Sequence, residues 1–169
     1  VRGTTLKMSI IKMMDRLNPK RIVIVSSAPQ IRFPDCYGID MAKLEGLVAF
    51  RAALDLLKER NLYHIVDEVY AKCKAQENYH DNDVVNYVTA IYEPFAPQEI
   101  SDKIAEMLSS PEINAEVKII FQTVEDLHTA CPKNLGDWYF TGDYPTPGGN
   151  RVVNRAFMNF YEGKDARAY

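Results

Sequence analysis

The sequence has no long apolar run: nothing in its 169 residues approaches the roughly 20 consecutive apolar positions that a membrane-spanning helix needs. Nor does it show a basic stretch followed by an apolar one, the pattern of a secretory signal. Cysteine is scarce: Cys36, Cys73 and Cys131 are odd in number and far apart. That excludes a disulfide framework and suits reduced thiols in a cytoplasmic protein. The three histidines, His64, His80 and His128, never stand at ligand spacing to one another or to a cysteine, which argues against a zinc site. A basic excess is also missing. Twenty Lys and Arg against 23 Asp and Glu leave a formal charge of −3, and a nucleic-acid partner would call for a basic face.

What is present begins at once. Val1-Arg2-Gly3-Thr4-Thr5 leads directly into an apolar-periodic segment over residues 6–17. Glycine lets a backbone approach a ligand closely, and two hydroxyls fall where a helix starts. The free N–H groups of the first helical turn point at the same place. With Arg2 beside them, these residues have the chemistry that grips a phosphate; a plain threonine-capped helix start is the simpler reading of the same five.

Along the chain, Leu6, Ile10, Met13 and Leu17 share a helical face that Asn18-Pro19 ends. Arg21-Ile22-Val23-Ile24-Val25 reads as a strand buried on both faces. Residues 26–41, with two prolines and a glycine, read as an ordered loop. Helical patterns then follow over 44–60, 65–74, 84–92 and 98–108, with Asp81 or Asn82 as a cap between the second and third. Pro97 suits a first helical position. Residues 117–121 suit a strand, Thr123-Val124-Glu125-Asp126 opens a helix, and 133–150 form a loop before an amphipathic helix that Gly163 ends. A predominantly helical α/β protein is predicted.

Few residues offer chemistry of their own. Asp81-Asn82-Asp83 lacks the glycine and distal glutamate of a calcium loop. Cys36 has no histidine near it in sequence, so packing is the simpler role. Tyr63, Tyr70, Tyr79, Tyr87 and Tyr92 line the helical middle as core or interface residues.

Three stretches, taken together, carry a resemblance. Val1-Arg2-Gly3-Thr4-Thr5 resembles the second half of the phosphoribosyl-diphosphate loop of type I phosphoribosyltransferases. Ala28-Pro29-Gln30-Ile31-Arg32-Phe33-Pro34 with Tyr37-Gly38-Ile39-Asp40-Met41 resembles the loop after the next strand in the amidophosphoribosyltransferase family. Phe140-Thr141-Gly142-Asp143-Tyr144-Pro145 resembles that family's signature near the C-terminus. All three stand in family order, and residues 99–104 and 119–130 follow its closing helix–strand–helix.

The resemblance implies the end of a type I phosphoribosyltransferase parallel sheet plus a helical insertion. Its divisions are 1–53, the C-terminal part of that domain; 54–96, the insertion; and 97–169, the closing elements. It implies the first step of purine synthesis. Glutamine is hydrolysed at an N-terminal cysteine, and the ammonia passes to phosphoribosyl diphosphate to give phosphoribosylamine. Arg2, Gly3, Thr4 and Thr5 would hold the 5′-phosphate of that substrate or of a purine nucleotide, with Mg2+ arriving on the diphosphate. The family's paired aspartates and its glutaminase cysteine precede the position of Val1, so the chain is expected to be a C-terminal piece, inactive alone. Some members hold an iron–sulfur cluster. Here Asp35, Gly136 and Tyr139 stand at the matching places, and no cluster is expected. A homo-oligomer is expected, without nucleic acid or membrane. The competing reading is a stand-alone helical interaction module that retains a phosphate-binding turn.

Overall fold

A computed structural model describes residues 9–35, 41–133 and 136–168. Two parallel strands, β1 (Arg21–Ser26) and β2 (Glu116–Phe121), pair in register from Arg21 opposite Glu116 to Ser26 opposite Phe121. Between them in sequence lie α2 (Val48–Glu59), α3 (His64–Ala75) and α4 (Pro97–Leu108); α1 (Ile11–Asp15) precedes β1. After β2 come α5 (Val124–Ala130), the single turn α6 (Trp138–Thr141) and α7 (Pro147–Tyr161).

Helix α4 packs on β2, and α2 packs on α4. Ile22 and Ile119 turn from the sheet toward this layer, where Ile100, Ile104, Leu57 and Phe50 are fully buried. Helices α3 and α7 close the far side, and Phe50 meets Phe157 and Phe160 edge to face. The core is continuous from the sheet to α7. Helix α2 crosses position 54 without a break.

Local chemistry explains several boundaries. Pro97 opens α4, and the Glu99 carboxylate accepts from the Ala96 N–H at 2.7 Å, satisfying an otherwise free donor. The Thr123 hydroxyl accepts from the Asp126 N–H at 3.0 Å and caps α5. Asp15, buried at the end of α1, accepts from the N–H groups of Asn114 (3.1 Å) and Ala115 (2.9 Å), which locks α1 to the start of β2.

Four expectations are corrected. Residues 133–150 are not all loop: Trp138–Thr141 form a helical turn, and α7 already begins at Pro147, whose fixed φ suits a first helical position. Residues 84–92 are not an α-helix: Val84 is extended, and Tyr87–Ile91 form a 3-10 turn. The Asn86 side chain accepts from the Val88 N–H at 3.1 Å, a local bond that starts this tighter turn. Neither Asp81 nor Asn82 caps a helix; they belong to a short 3-10 turn, and Asp81 instead pairs with Arg151. The strand β1 is buried on one face only, for Val23 and Val25 are exposed and no described residue covers them.

Candidate functional site at the carboxyl ends of the strands

Ligands of parallel α/β proteins gather beyond the carboxyl ends of the strands, where the loops diverge. Both strands here lead into one cleft of about 570 Å3 at that end. Its walls carry Arg32, Tyr92, Phe121, Gln122, Thr123 and Phe140.

The first loop is built rigidly. As β1 ends, the Ser26 hydroxyl donates to the Ala28 carbonyl at 2.8 Å and turns the chain. Gln30 is buried. Its amide NH2 donates to the Pro97 carbonyl (2.7 Å) and the Ser101 hydroxyl (2.8 Å), anchoring the loop on the first turn of α4. The amide oxygen of Gln30 then accepts from Arg32 Nε (3.1 Å) and Nη2 (2.8 Å). The guanidinium also lies 5.3 Å from the ring centre of Tyr92, a cation–π contact. Among the described residues no carboxylate pairs with Arg32, and burial lowers its pKa from the ordinary value.

Two of the quoted motifs meet at this cleft. The N–H groups of Arg32 and Phe33 both donate to the Tyr139 carbonyl, at 2.8 and 3.1 Å. Tyr144 donates its hydroxyl to the Pro34 carbonyl at 2.5 Å, and Tyr139 donates to Asp35 at 3.1 Å. Residues 28–35 and 139–144, a hundred positions apart, thus form one unit.

The middle of the chain holds that unit in place. Tyr92, buried, donates to the Arg32 carbonyl at 2.5 Å and packs edge to face on Phe33. Burial raises its phenol pKa, so it stays a donor. Asn86 donates to the Gly142 carbonyl at 3.0 Å. Gly142 has a φ of +84°, and a Cβ there would lie 2.7 Å from Asn86 Nδ2 and 2.9 Å from Phe33 Cζ, so glycine suits both conformation and space.

Of the predicted site residues, Arg2, Gly3, Thr4 and Thr5 lie outside the described residues, as do Cys36 and the Tyr37-Gly38-Ile39-Asp40 stretch. Among the described residues no group of three or more His, Cys, Asp or Glu side chains could hold a metal ion, and no helix is long and apolar enough to cross a membrane. Cys73 lies in the core and Cys131 is exposed. Arg32, Tyr92 and Asn86 were not singled out by sequence as site residues. An arginine between apolar neighbours and two prolines was the one available signal.

These features define an α/β protein with its candidate site on the loops after parallel strands. No family model and no solved structure matches the chain. Curated relatives do. An amidophosphoribosyltransferase of Saccharomyces cerevisiae is 30% identical over 128 residues, covering 70% of this chain and 25% of the yeast protein. Amidophosphoribosyltransferases of Escherichia coli and Haemophilus influenzae are each 41% identical over 59 residues, covering 35% of this chain and 12% of theirs. The chain is related to the amidophosphoribosyltransferases and spans a quarter or less of the length of these relatives.

Proposed function

We propose that the chain is the C-terminal portion of the phosphoribosyltransferase half of an amidophosphoribosyltransferase. The observation that carries this is the union of the loop at 28–35 with the motif at 140–145: Tyr144 of that motif donates to the Pro34 carbonyl, and the carbonyl of Tyr139, just before it, accepts from the Arg32 and Phe33 N–H groups. The whole enzyme would make phosphoribosylamine from phosphoribosyl diphosphate and glutamine, the first step of purine synthesis. Arg2 would supply charge to the 5′-phosphate, Gly3 close backbone approach, and Thr4 and Thr5 hydroxyl and N–H donors at a helix start. A purine nucleotide would engage the same four residues through its own 5′-phosphate. Mg2+ would come as part of the diphosphate substrate, since the described side chains form no cage for it, and no iron–sulfur cluster is expected. The setting is cytoplasmic, with neither nucleic acid nor membrane as partner.

The chain by itself should turn over neither glutamine nor phosphoribosyl diphosphate: among the described residues the buried Cys73 has its thiol pKa raised rather than lowered, and the family's nucleophilic cysteine and paired aspartates match no position quoted from this sequence. Phosphate binding is the part it can show. Titration of 15N-labelled chain with ribose 5-phosphate should move the amide resonances of Gly3, Thr4 and Thr5, and Arg2→Ala should weaken that response. Resonances that stay still at millimolar ligand, or glutamate released by pure chain, would overturn the reading.

A further inference from the structure

We propose that the cleft binds a small oxyanion on an apolar body, with the carboxylate or phosphate seated on the outer edge of the Arg32 guanidinium. A guanidinium has two forked edges, one formed by Nε and one Nη, the other by the two Nη atoms. Gln30 occupies the first edge with a single oxygen that accepts from Nε and Nη2. The second edge receives no bond from any described residue, although Arg32 lines a cleft of about 570 Å3. That volume falls within the range of small-molecule sites, roughly 300–1,000 Å3.

Three further observations point the same way. The guanidinium cannot swing away to find a surface acid, because Gln30 is itself fixed to Pro97 and Ser101. Its cation is half-withdrawn from water and, among the described residues, paired with no carboxylate, so an anion gains more here than at an open surface. The flanking walls are aromatic, from Phe95, Phe121 and Phe140, with amide and hydroxyl donors from Gln122 and Thr123. Glu93 and Glu125 also line the cleft, but both are exposed at its rim and neither pairs with Arg32. This assignment does not rest on the enzyme reading above, and it includes Tyr92 and Phe95, side chains from the stretch outside the family motifs.

The test uses the 169-residue chain and three probes on one phenyl body: benzoate, its neutral isostere benzamide, and phenyl phosphate. The Nε–H resonance of Arg32 should move to saturation with benzoate or phenyl phosphate, while benzamide binds at least about tenfold more weakly, a difference of about 1.4 kcal/mol. The tighter of the two anions assigns the source, carboxylate or phosphate. Arg32→Lys keeps the charge and loses the fork, and should weaken the anion about tenfold. Equal binding of benzamide, an Arg32 signal unmoved at millimolar anion, or undiminished binding by a folded Arg32→Lys chain would each overturn the proposal. Should Arg32→Lys fail to fold, the unsubstituted chain's Arg32 resonance decides alone.

Discussion

The phenol of Tyr92 donates to the Arg32 carbonyl oxygen at 2.5 Å while its ring lies 5.3 Å from the Arg32 guanidinium. One side chain from the helical middle therefore fixes both the backbone and the charge of a loop 60 positions away. Tyr92→Phe keeps the ring and strips the donor, leaving a carbonyl in a part-buried setting with one partner fewer. A loss of about 1–3 kcal/mol in unfolding free energy is expected, read by urea denaturation. An unchanged midpoint would mean that water replaces the hydroxyl without cost. The cation–π contact should survive, so the Arg32 side-chain resonances should move little.

Gly142 makes the complementary contact on the second motif. An alanine there must adopt a φ of +84° and press on Asn86 and Phe33 at under 3 Å. The left-handed conformation alone costs about 1–2 kcal/mol, and the clash adds to it. Gly142→Ala should lower the melting temperature by several degrees, about 2–4 °C per kcal/mol for a chain of this size. Asn86→Ala with Gly142→Ala should recover part of the loss, because it removes the nearer clash. Full additivity of the two substitutions would show that the Asn86 amide is not what the new methyl meets.

Much of this architecture is legible in sequence, and the exceptions have physical reasons. The β-branched run at 21–25, Pro97 at a helix start and the Thr123 cap are each dictated locally, by side-chain shape, a fixed φ or one short hydrogen bond. The turn at Tyr87–Ile91 was hidden because Val84, Val85, Val88 and Ile91 fit a helical stripe equally well. Asn86, which decides the matter by bonding to Val88, looks like any polar residue. The site was less legible than the fold. Arg32 lies inside one of the motifs, but its distinction is that no carboxylate among the described residues pairs with it, and only packing shows that. Tyr92 and Asn86 act on backbone carbonyls through space, which no spacing rule encodes.

Cys73 lies in the core, and burial pushes its thiol up to about 12. In an unfolded chain the thiol ionises near about 8.5. Between these values the folded state keeps a proton that the unfolded state gives up. The contribution of Cys73 is thus whole below about pH 8.5 and declines as pH rises, by about 1.4 kcal/mol per pH unit. Tyr92 adds a fall of the same sign at higher pH, since its phenol is also raised by burial. Urea midpoints measured from pH 7 to 10 should fall with the onset near 8.5, and Cys73→Ala should remove that early part. A native-state thiol reagent should meanwhile modify exposed Cys131 and spare Cys73. Rapid modification of both would show that α3 opens readily.

The uncovered side of the sheet sets the last expectation. Val23 is 48% exposed, Val25 72% and Ile120 44%; Met13 of α1 and Leu17 in the turn after it are exposed as well. Among the described residues β1 pairs only with β2, and none of them forms a ladder on its other edge. From Ile22 to Val25 that strand has no charge, proline or bulge to discourage pairing, the usual safeguards of an edge. The isolated 169-residue chain should therefore associate with itself, and its mean mass by light scattering should rise with concentration. Val23→Lys with Val25→Lys should keep it monomeric while changing stability by no more than about 0.5 kcal/mol, because Val25 is largely and Val23 about half exposed. Ile22→Asp should instead unfold the sheet end, since Ile22 is only 7% exposed and faces the core. A monomer of constant mass at high micromolar concentration would refute the association. Unfolding by the double lysine substitution would show that the outer face is packed after all.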